Sequence, residues 1–467
     1  MNISERLARF VAETEGVPQE AIAQAKRAVL DTLGVALAGS REESARAVAA
    51  WVREQGGRAG ATVLGQGFRA PAPDAALVNG VAGHALDFDD VSVPMRGHPS
   101  VPLLPAVLAV GEKAGSSGRD LLTAFVLGFE VETRLGRAIG EAHYALGWHA
   151  TSTLGTVGAA AACARLLGLD AGRTRMALGI AASLAGGLQQ NFGTMTKPLH
   201  AGWAARNGVV AAELAARGFT ADPLALEGEC GQTPARRGGF LRAMSGGAEV
   251  DLAPLATPGE PFEITSSGIG VKRYPCCYAV HRSLDAVLDL RARRGIDAGS
   301  VAAVKVEVSR GTLLPLRGEP PVTGLEGKFS LEYCLAVALI DGGVGLSSFT
   351  DEAVRRPAVR ALMAKVQATE GAEAGPFPIG GYAEVRIALR DGTEHSDLSE
   401  RVDTPRGDPS RPLSWDELAG KFRECAGAVL SAETTERIVS LVERLEDLPD
   451  VQGLTEALNG GAMEPRH

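Results

Sequence analysis

The sequence predicts a mainly α protein, a large all-α helical domain carrying an inserted, smaller α+β lid domain. Three observations carry this prediction. Apolar residues recur at helical spacing through most of residues 1–265. A Pro/Gly/Ser-rich stretch without periodicity, 253–270, interrupts that pattern. Beyond it, two short segments alternate apolar and polar residues with period two.

Taken in order, Ala21 to Ala38 sets Ala25, Val29, Leu30, Leu33 and Leu37 on one face and stops at Gly39-Ser40. Amphipathic runs follow at 42–55, 101–114, 119–139, 152–168, 173–187 and 198–217, punctuated by Gly and Pro. The run Gly155-Thr156-Val157-Gly158-Ala159-Ala160-Ala161-Ala162 is small nearly all round. Small residues gain little on an exposed helix and allow close approach in a buried one, so this helix belongs at the centre of a bundle. Val301 to Val308 and Tyr382 to Leu389 alternate as strands with one wet face. Helices at 278–294, 328–341 and 351–366 lie among them. A second loop-rich stretch, 403–413, precedes helices at 414–427 and 431–448, and the tail Asn459–His467 is expected to be disordered. The expected division is a helical domain over 1–265, a lid over 266–404, and C-terminal helices over 405–467 that return to the helical domain. The crevice beside such a lid is the expected ligand site.

Composition removes several function classes. The net charge is -9 and the isoelectric point near 5.6. A nucleic-acid partner needs clustered Lys and Arg, so none is expected. No apolar run reaches the length of a membrane span, and the start MNISERLARF lacks a cleavable apolar core, so a cytoplasmic protein is expected. The six cysteines, Cys163, Cys230, Cys276, Cys277, Cys334 and Cys425, show no CxxC pair and no zinc spacing.

Chemistry-bearing residues gather in five polar stretches. The first runs His84-Ala85-Leu86-Asp87-Phe88-Asp89-Asp90 to His98-Pro99-Ser100. Packed carboxylates repel one another, which raises at least one pKa toward neutrality. If the stretch is extended, Asp87 and Asp89 share a side. It also reads as a helix end with a solvated acidic loop, or as a metal site drawn from His84, Asp87, Asp89 and His98; no metal is the expectation. The second, Gly147-Trp148-His149-Ala150-Thr151-Ser152, and the third, Thr194 to His200 with Lys197-Pro198, place an ionisable group at a helix start. The partial positive charge there favours an anion. The fourth, Lys272-Arg273-Tyr274-Pro275-Cys276-Cys277-Tyr278-Ala279-Val280-His281, packs cations, phenols, thiols and an imidazole together. Its thiols also read as small buried hydrophobes. The fifth, Lys328 to Cys334, opens a buried helix on which Tyr333 either donates a proton or buries its ring.

With these stretches in this order, the chain resembles the MmgE/PrpD family. The matching pieces are AGHALDFDDV with RGHPS, GWHATSTLGTVGAAAA, NFGTMTKPLHAGWAARNG, KRYPCCYAVHRSLDA and KFSLEYCLAVALIDGG. The resemblance implies a helical domain with an α+β lid, a homodimer, and chemistry without metal or organic cofactor. It implies catalytic roles for Asp87, His98, His149, Lys197, Lys272 and Tyr333. Asp90, Thr151, Ser152, Cys277, His281 and Arg273 are the expected substrate-binding residues.

The expected partner is a small anionic polycarboxylate, attacked by proton abstraction next to a carboxylate. A 2-methylcitrate dehydratase-like lyase ranks first and an iminodisuccinate epimerase-like isomerase second. A cis-aconitate decarboxylase ranks third, because decarboxylase-type members carry a histidine where this chain has Cys277. Lysines hold the carboxylates, His98 or His149 is the base, Asp87 orients a histidine, and Tyr333 or the second histidine returns a proton. Two alternatives stay open: a Schiff base on Lys197, and a silent carboxylate-binding protein.

Overall fold

The Ala150–Leu166 helix is buried on every side from residue 150 to residue 164. Its Gly and Ala residues make that possible, because they let neighbouring backbones approach. A methyl added to Gly158 would lie 2.6 Å from Glu132 Oε2, and one added to Gly128 would lie 2.8 Å from the Gly158 carbonyl. The Gly118–Ile139 helix therefore crosses here at backbone distance. The same device joins the Ala72–Ala85 and Thr196–Ala216 helices. A methyl on Gly80 would lie 2.7 Å from Gly202 Cα, and one on Gly202 would lie 2.4 Å from the Leu77 carbonyl.

The computed structural model describes residues 1–228, 238–375, 381–390 and 398–459. Cys230 and all of the expected disordered tail except Asn459 lie outside them. The other five cysteines are free thiols. Two units are formed. One comprises Met1–Ala85, Asp89–Ile269 and Ser414–His467, the other Leu86–Phe88 and Gly270–Leu413. Mainly helical architecture with a smaller α+β part is what the periodicities predicted. Among the described residues no helix is long and apolar enough to cross a membrane.

In the larger unit, the Gln19–Gly39 helix receives the Trp415–Ala426 helix from the far end of the chain. Gly34 opens a seat for the Phe422 ring, and Lys421 Nζ lies 2.7 Å from buried Asp31 Oδ1. One departure from the all-helical expectation is a short hairpin, β1 (Ala61–Val63) against β2 (Phe68–Ala70). Three residues per strand are too few to show a period.

The smaller unit holds a four-stranded sheet of β3 (Val301–Arg310), β4 (Val366–Ala374), β5 (Ala383–Leu389) and β6 (Ser399–Val402), in the order β4-β3-β5-β6. β3 runs parallel to β4 and antiparallel to β5. Val304, Val306 and Val308 point into a core shared with Leu284, Val287, Leu335 and Leu339 from the His281–Arg294 and Leu331–Asp341 helices. Sequence periodicity marks the two central strands, β3 and β5. It does not mark β4 and β6, because edge strands are mostly wet on both faces or short. The single helix expected over 351–366 is two, Asp351–Arg355 and Pro357–Met363, and β4 takes its last residue. Pro357 forces Arg356 into an extended conformation that ends the first helix and starts the second.

Candidate active site

Three helix starts and one helix end meet inside the larger unit. His84 sits in the last turn of Ala72–Ala85, and His98 two residues before the Ser100–Ala114 helix. His149 is the N-cap of Ala150–Leu166, and Lys197 and His200 lie in the first turns of Thr196–Ala216. The expected N-cap at Thr151-Ser152 falls two residues late. His149 takes that place with extended backbone, because its N–H donates to the Gly187 carbonyl at 3.0 Å.

The imidazoles form a chain of contacts. The His84 ring lies 4.7 Å from that of His98 and 5.5 Å from that of His149. His149 lies 5.2 Å from His200 and 4.9 Å from the Phe192 ring, over which the Lys197 ammonium sits at 5.5 Å. Four of the six described histidines thus occupy one place, all largely buried.

Each ring is held by a specific acceptor or partner. Asp89 Oδ2 lies 2.8 Å from His84 Nδ1 and 3.2 Å from His98 Nδ1. His98 Nδ1 also lies 2.8 Å from the Asp90 carbonyl oxygen. A carbonyl can only accept, so that nitrogen carries the proton. His98 N–H donates to Thr151 Oγ1 at 3.0 Å, and the Ser152 hydroxyl donates to the His200 carbonyl at 3.1 Å. Thr151 and Ser152, expected to bind substrate, are thus engaged in positioning the histidine segments. His149 Nδ1 and His200 Nδ1 lie 3.0 Å apart. One must donate and the other accept, so the two neutral rings are opposite tautomers.

Burial sets the protonation states. It lowers His84 to about 3, with Lys197 adding to the effect, and takes His149 well below the usual imidazole value. His200 falls to about 4 by burial and by Lys197. Burial opposes the charge on Asp89, yet the His84 and His98 partners hold its carboxyl well below the ordinary value. At neutral pH His84, His149 and His200 are therefore uncharged imidazoles, set beside the Asp89 carboxylate and Lys197.

The acidic stretch differs from its expected reading. Asp87 adopts a left-handed conformation, φ 52°, which breaks the extended alternation that would align it with Asp89. Asp89 contacts two of the histidines. Asp87 belongs to the smaller unit, where its carboxylate lies 3.1 Å from Lys272 Nζ and its carbonyl accepts from the same ammonium at 2.8 Å. Lys328 Nζ donates beside it to the Leu86 carbonyl at 2.6 Å. One carboxyl is indeed raised, but it is Asp90, to about 8, and burial outweighs repulsion from Asp31 and Asp89 as the cause. Asp90 is fully buried and bonded to the Ser100 hydroxyl and N–H, so it caps the Ser100–Ala114 helix instead of meeting a ligand.

Glu132 lies deeper still. Both its oxygens are buried without a hydrogen-bond partner, and burial, then Asp90, raises it well above the usual carboxyl value. A carboxyl raised in the fold stabilises it at low pH. That contribution is lost as pH climbs above the unfolded value of about 4.3, by about 1.4 kcal/mol per unit until the folded value is reached. Glu132→Gln, which cannot titrate, should therefore gain melting temperature over the parent as pH rises from about 5 to about 8. Parallel melting-temperature curves for the two proteins would refute a neutral Glu132.

In the smaller unit, Lys272 is fully buried. Tyr333 is buried and its hydroxyl donates to the Ser348 carbonyl, and burial raises it above the usual phenol value. Its proton is committed to that carbonyl, so the proton-donor role expected for it does not match this geometry. Arg273 is exposed, its guanidinium 5.8 Å from the Tyr274 ring centre. Cys277 is buried, and its N–H donates to the Lys328 carbonyl at 2.9 Å. His281 Nε2 lies 3.3 Å from the Cys276 carbonyl, which makes that nitrogen the donor. Burial raises Cys276, but bonds from Cys334 and His281 outweigh it and bring the thiol down to about 6.

His84, Asp89 and His200 are the contributors that residue-by-residue reading left out of the expected site. All three lie inside the quoted stretches, which was the available signal. As for a metal, one donor atom each from His84, Asp89 and His98 lies within 4.8 Å of the others. The His98 atom nearest Asp89 carries a proton for the Asp90 carbonyl, which leaves it no lone pair for a cation in this arrangement.

A helical body that buries neutral imidazoles, a carboxylate and a lysine at meeting helix ends, with an α+β unit inserted, is the build of an enzyme. The family models agree. The MmgE/PrpD N-terminal domain matches residues 5–253 and the MmgE/PrpD C-terminal domain matches 274–447. The chain belongs to the MmgE/PrpD family. It is similar to a cis-aconitate decarboxylase of Homo sapiens, 34% identical over 94% of this chain and 90% of the relative. Relatives of the same name from Mus musculus (33% identical, 97% of this chain, 91% of the relative) and Aspergillus terreus (30%, 97% and 94%) are similar throughout.

Proposed function

We propose that the chain is a lyase that acts on a small di- or tricarboxylate by removing a proton from the carbon next to a carboxylate, without metal or organic cofactor. The observation that carries this is the meeting of four imidazoles, three of them uncharged by burial, beside Lys197. A carbon acid of this kind is weak, so its anion must be met by fixed positive charge as it forms. Lys197 and the helix starts supply that charge, and a neutral imidazole supplies the base. His98 and His149 are the bases proposed to take the proton. Because His149 and His200 are opposite tautomers, that pair holds both an accepting and a donating nitrogen. One ring takes the carbon proton on its free Nε2, its Nδ1 proton crosses the 3.0 Å contact to the other ring, and that ring gives its Nε2 proton to the leaving hydroxyl, which departs as water. This favours dehydration of a 2-methylcitrate-like substrate, and proton return to the opposite face would make the same site an epimerase.

Decarboxylation of cis-aconitate is the second reading, and the relatives' names favour it. It needs protonation of carbon after CO2 leaves. No carbon proton is taken beforehand to load an imidazole, so that proton must come from solvent.

Incubation in D2O with citrate, 2-methylcitrate, cis-aconitate and iminodisuccinate isomers separates the readings. Loss of water with deuterium exchange is the expected result. Loss of CO2 from cis-aconitate would install the second reading, and deuterium wash-in without loss of mass would make the chain an epimerase. Activity should survive dialysis against EDTA, and borohydride with substrate should trap nothing on Lys197; a trapped adduct would replace the base mechanism with a Schiff base.

A further inference from the structure

Asp89 touches two imidazoles, and both contacts use Oδ2. With a carboxylate facing it at 2.8 Å, His84 must carry its proton on Nδ1. Its Nε2 is then a bare lone pair, and that nitrogen is buried with no hydrogen-bond partner. A buried polar atom left unpaired costs free energy, so its persistence suits a site waiting for a proton or a ligand hydrogen. The His84 ring also lies between those of His98 and His149, within 4.7 and 5.5 Å.

We propose that Asp89 is a positioning residue that holds His84 and His98 in the Nδ1–H tautomer, and that His84 Nε2 is a further proton acceptor of the site. The proposal rests on the base-catalysed reading above. The two rings differ in how much they depend on Asp89. His98 Nδ1–H has the Asp90 carbonyl as a second acceptor, whereas Asp89 is the acceptor recorded for His84. Removing the charge of Asp89 should therefore release His84 and leave His98 in place.

The test is nitrogen NMR of protein labelled at histidine, without substrate, at neutral pH. In the parent protein His84 and His98 should both show a protonated Nδ1 and an unprotonated Nε2. In Asp89→Asn, His84 should move toward the Nε2–H tautomer while His98 keeps its own. Turnover of whichever substrate the D2O panel identifies should fall about 10- to 100-fold with KM little changed, and Asp89→Glu should recover part of it. His84 found as Nε2–H in the parent would overturn the proposal even if no variant folds, as would an Asn variant with parental tautomers and turnover. The tautomer measurement needs no substrate. A parent inert toward every polycarboxylate would sink the functional reading while the spectra still decide this one.

Discussion

Lys197→Ala and His149→Ala should each lower turnover by about 100-fold or more while the protein stays folded. Lys197 is the ammonium of the cluster, and its charge reaches His84, His149 and His200, as their lowered values record. Removing it takes away the fixed charge that meets a developing carboxylate-stabilised anion. The loss should fall mainly on kcat, because that charge matters most when the anion forms. Truncating His149 removes one half of a hydrogen-bonded imidazole pair and with it either the accepting or the donating nitrogen. Both side chains are buried, so some melting temperature should be lost, but the circular dichroism spectrum should stay that of the folded parent. Steady-state kinetics on the substrate identified by the deuterium panel would check both. Unchanged turnover in either variant removes that residue from the mechanism.

The second large effect is on stability and activity together. Gly202→Val should destabilise the protein by about 3 kcal/mol or more and abolish turnover. A Cβ at this position would lie 2.4 Å from the Leu77 carbonyl and 2.6 Å from Val81 Cγ2, and the first of these is backbone that cannot swing aside. The Ala72–Ala85 and Thr196–Ala216 helices would have to separate. They carry His84 on one side, and Lys197 and His200 on the other. A shift that relieves the clash therefore also opens the cluster. Thermal unfolding and activity measured on one preparation would test the pair of effects. A folded variant with parental kinetics would show that the Gly80–Gly202 crossing does not set the site's geometry.

These crossings show how far the sequence could be read. The small-residue run at 155–162 announced a buried helix, because Gly and Ala gain little anywhere else, and the helix is buried all round. The period-two alternation at Val301–Val308 and Tyr382–Leu389 announced β3 and β5, because one face of each is covered. The edge strands β4 and β6 have no such contrast between faces, and the hairpin β1–β2 is too short to display one. The helix starts at His149 and Lys197 were legible to within two residues, from Pro198 and the polar run before each apolar stretch.

The sequence by itself determined the fold class and the polar stretches from which the site is drawn. Periodicity and helix-start chemistry are local, so they are written in neighbouring residues. Only the tertiary structure decided which members of those stretches work together. Asp87 and Asp89 are two residues apart, yet a left-handed turn at Asp87 sends them to different partners, Lys272 for one and the imidazoles for the other. His84 and His200 joined the cluster because two helices cross at Gly80 and Gly202. Tyr333 was committed to the Ser348 carbonyl by the loop that follows its own helix. Each of these outcomes depends on contacts between distant segments and on the low dielectric they create, and spacing along the chain carries neither.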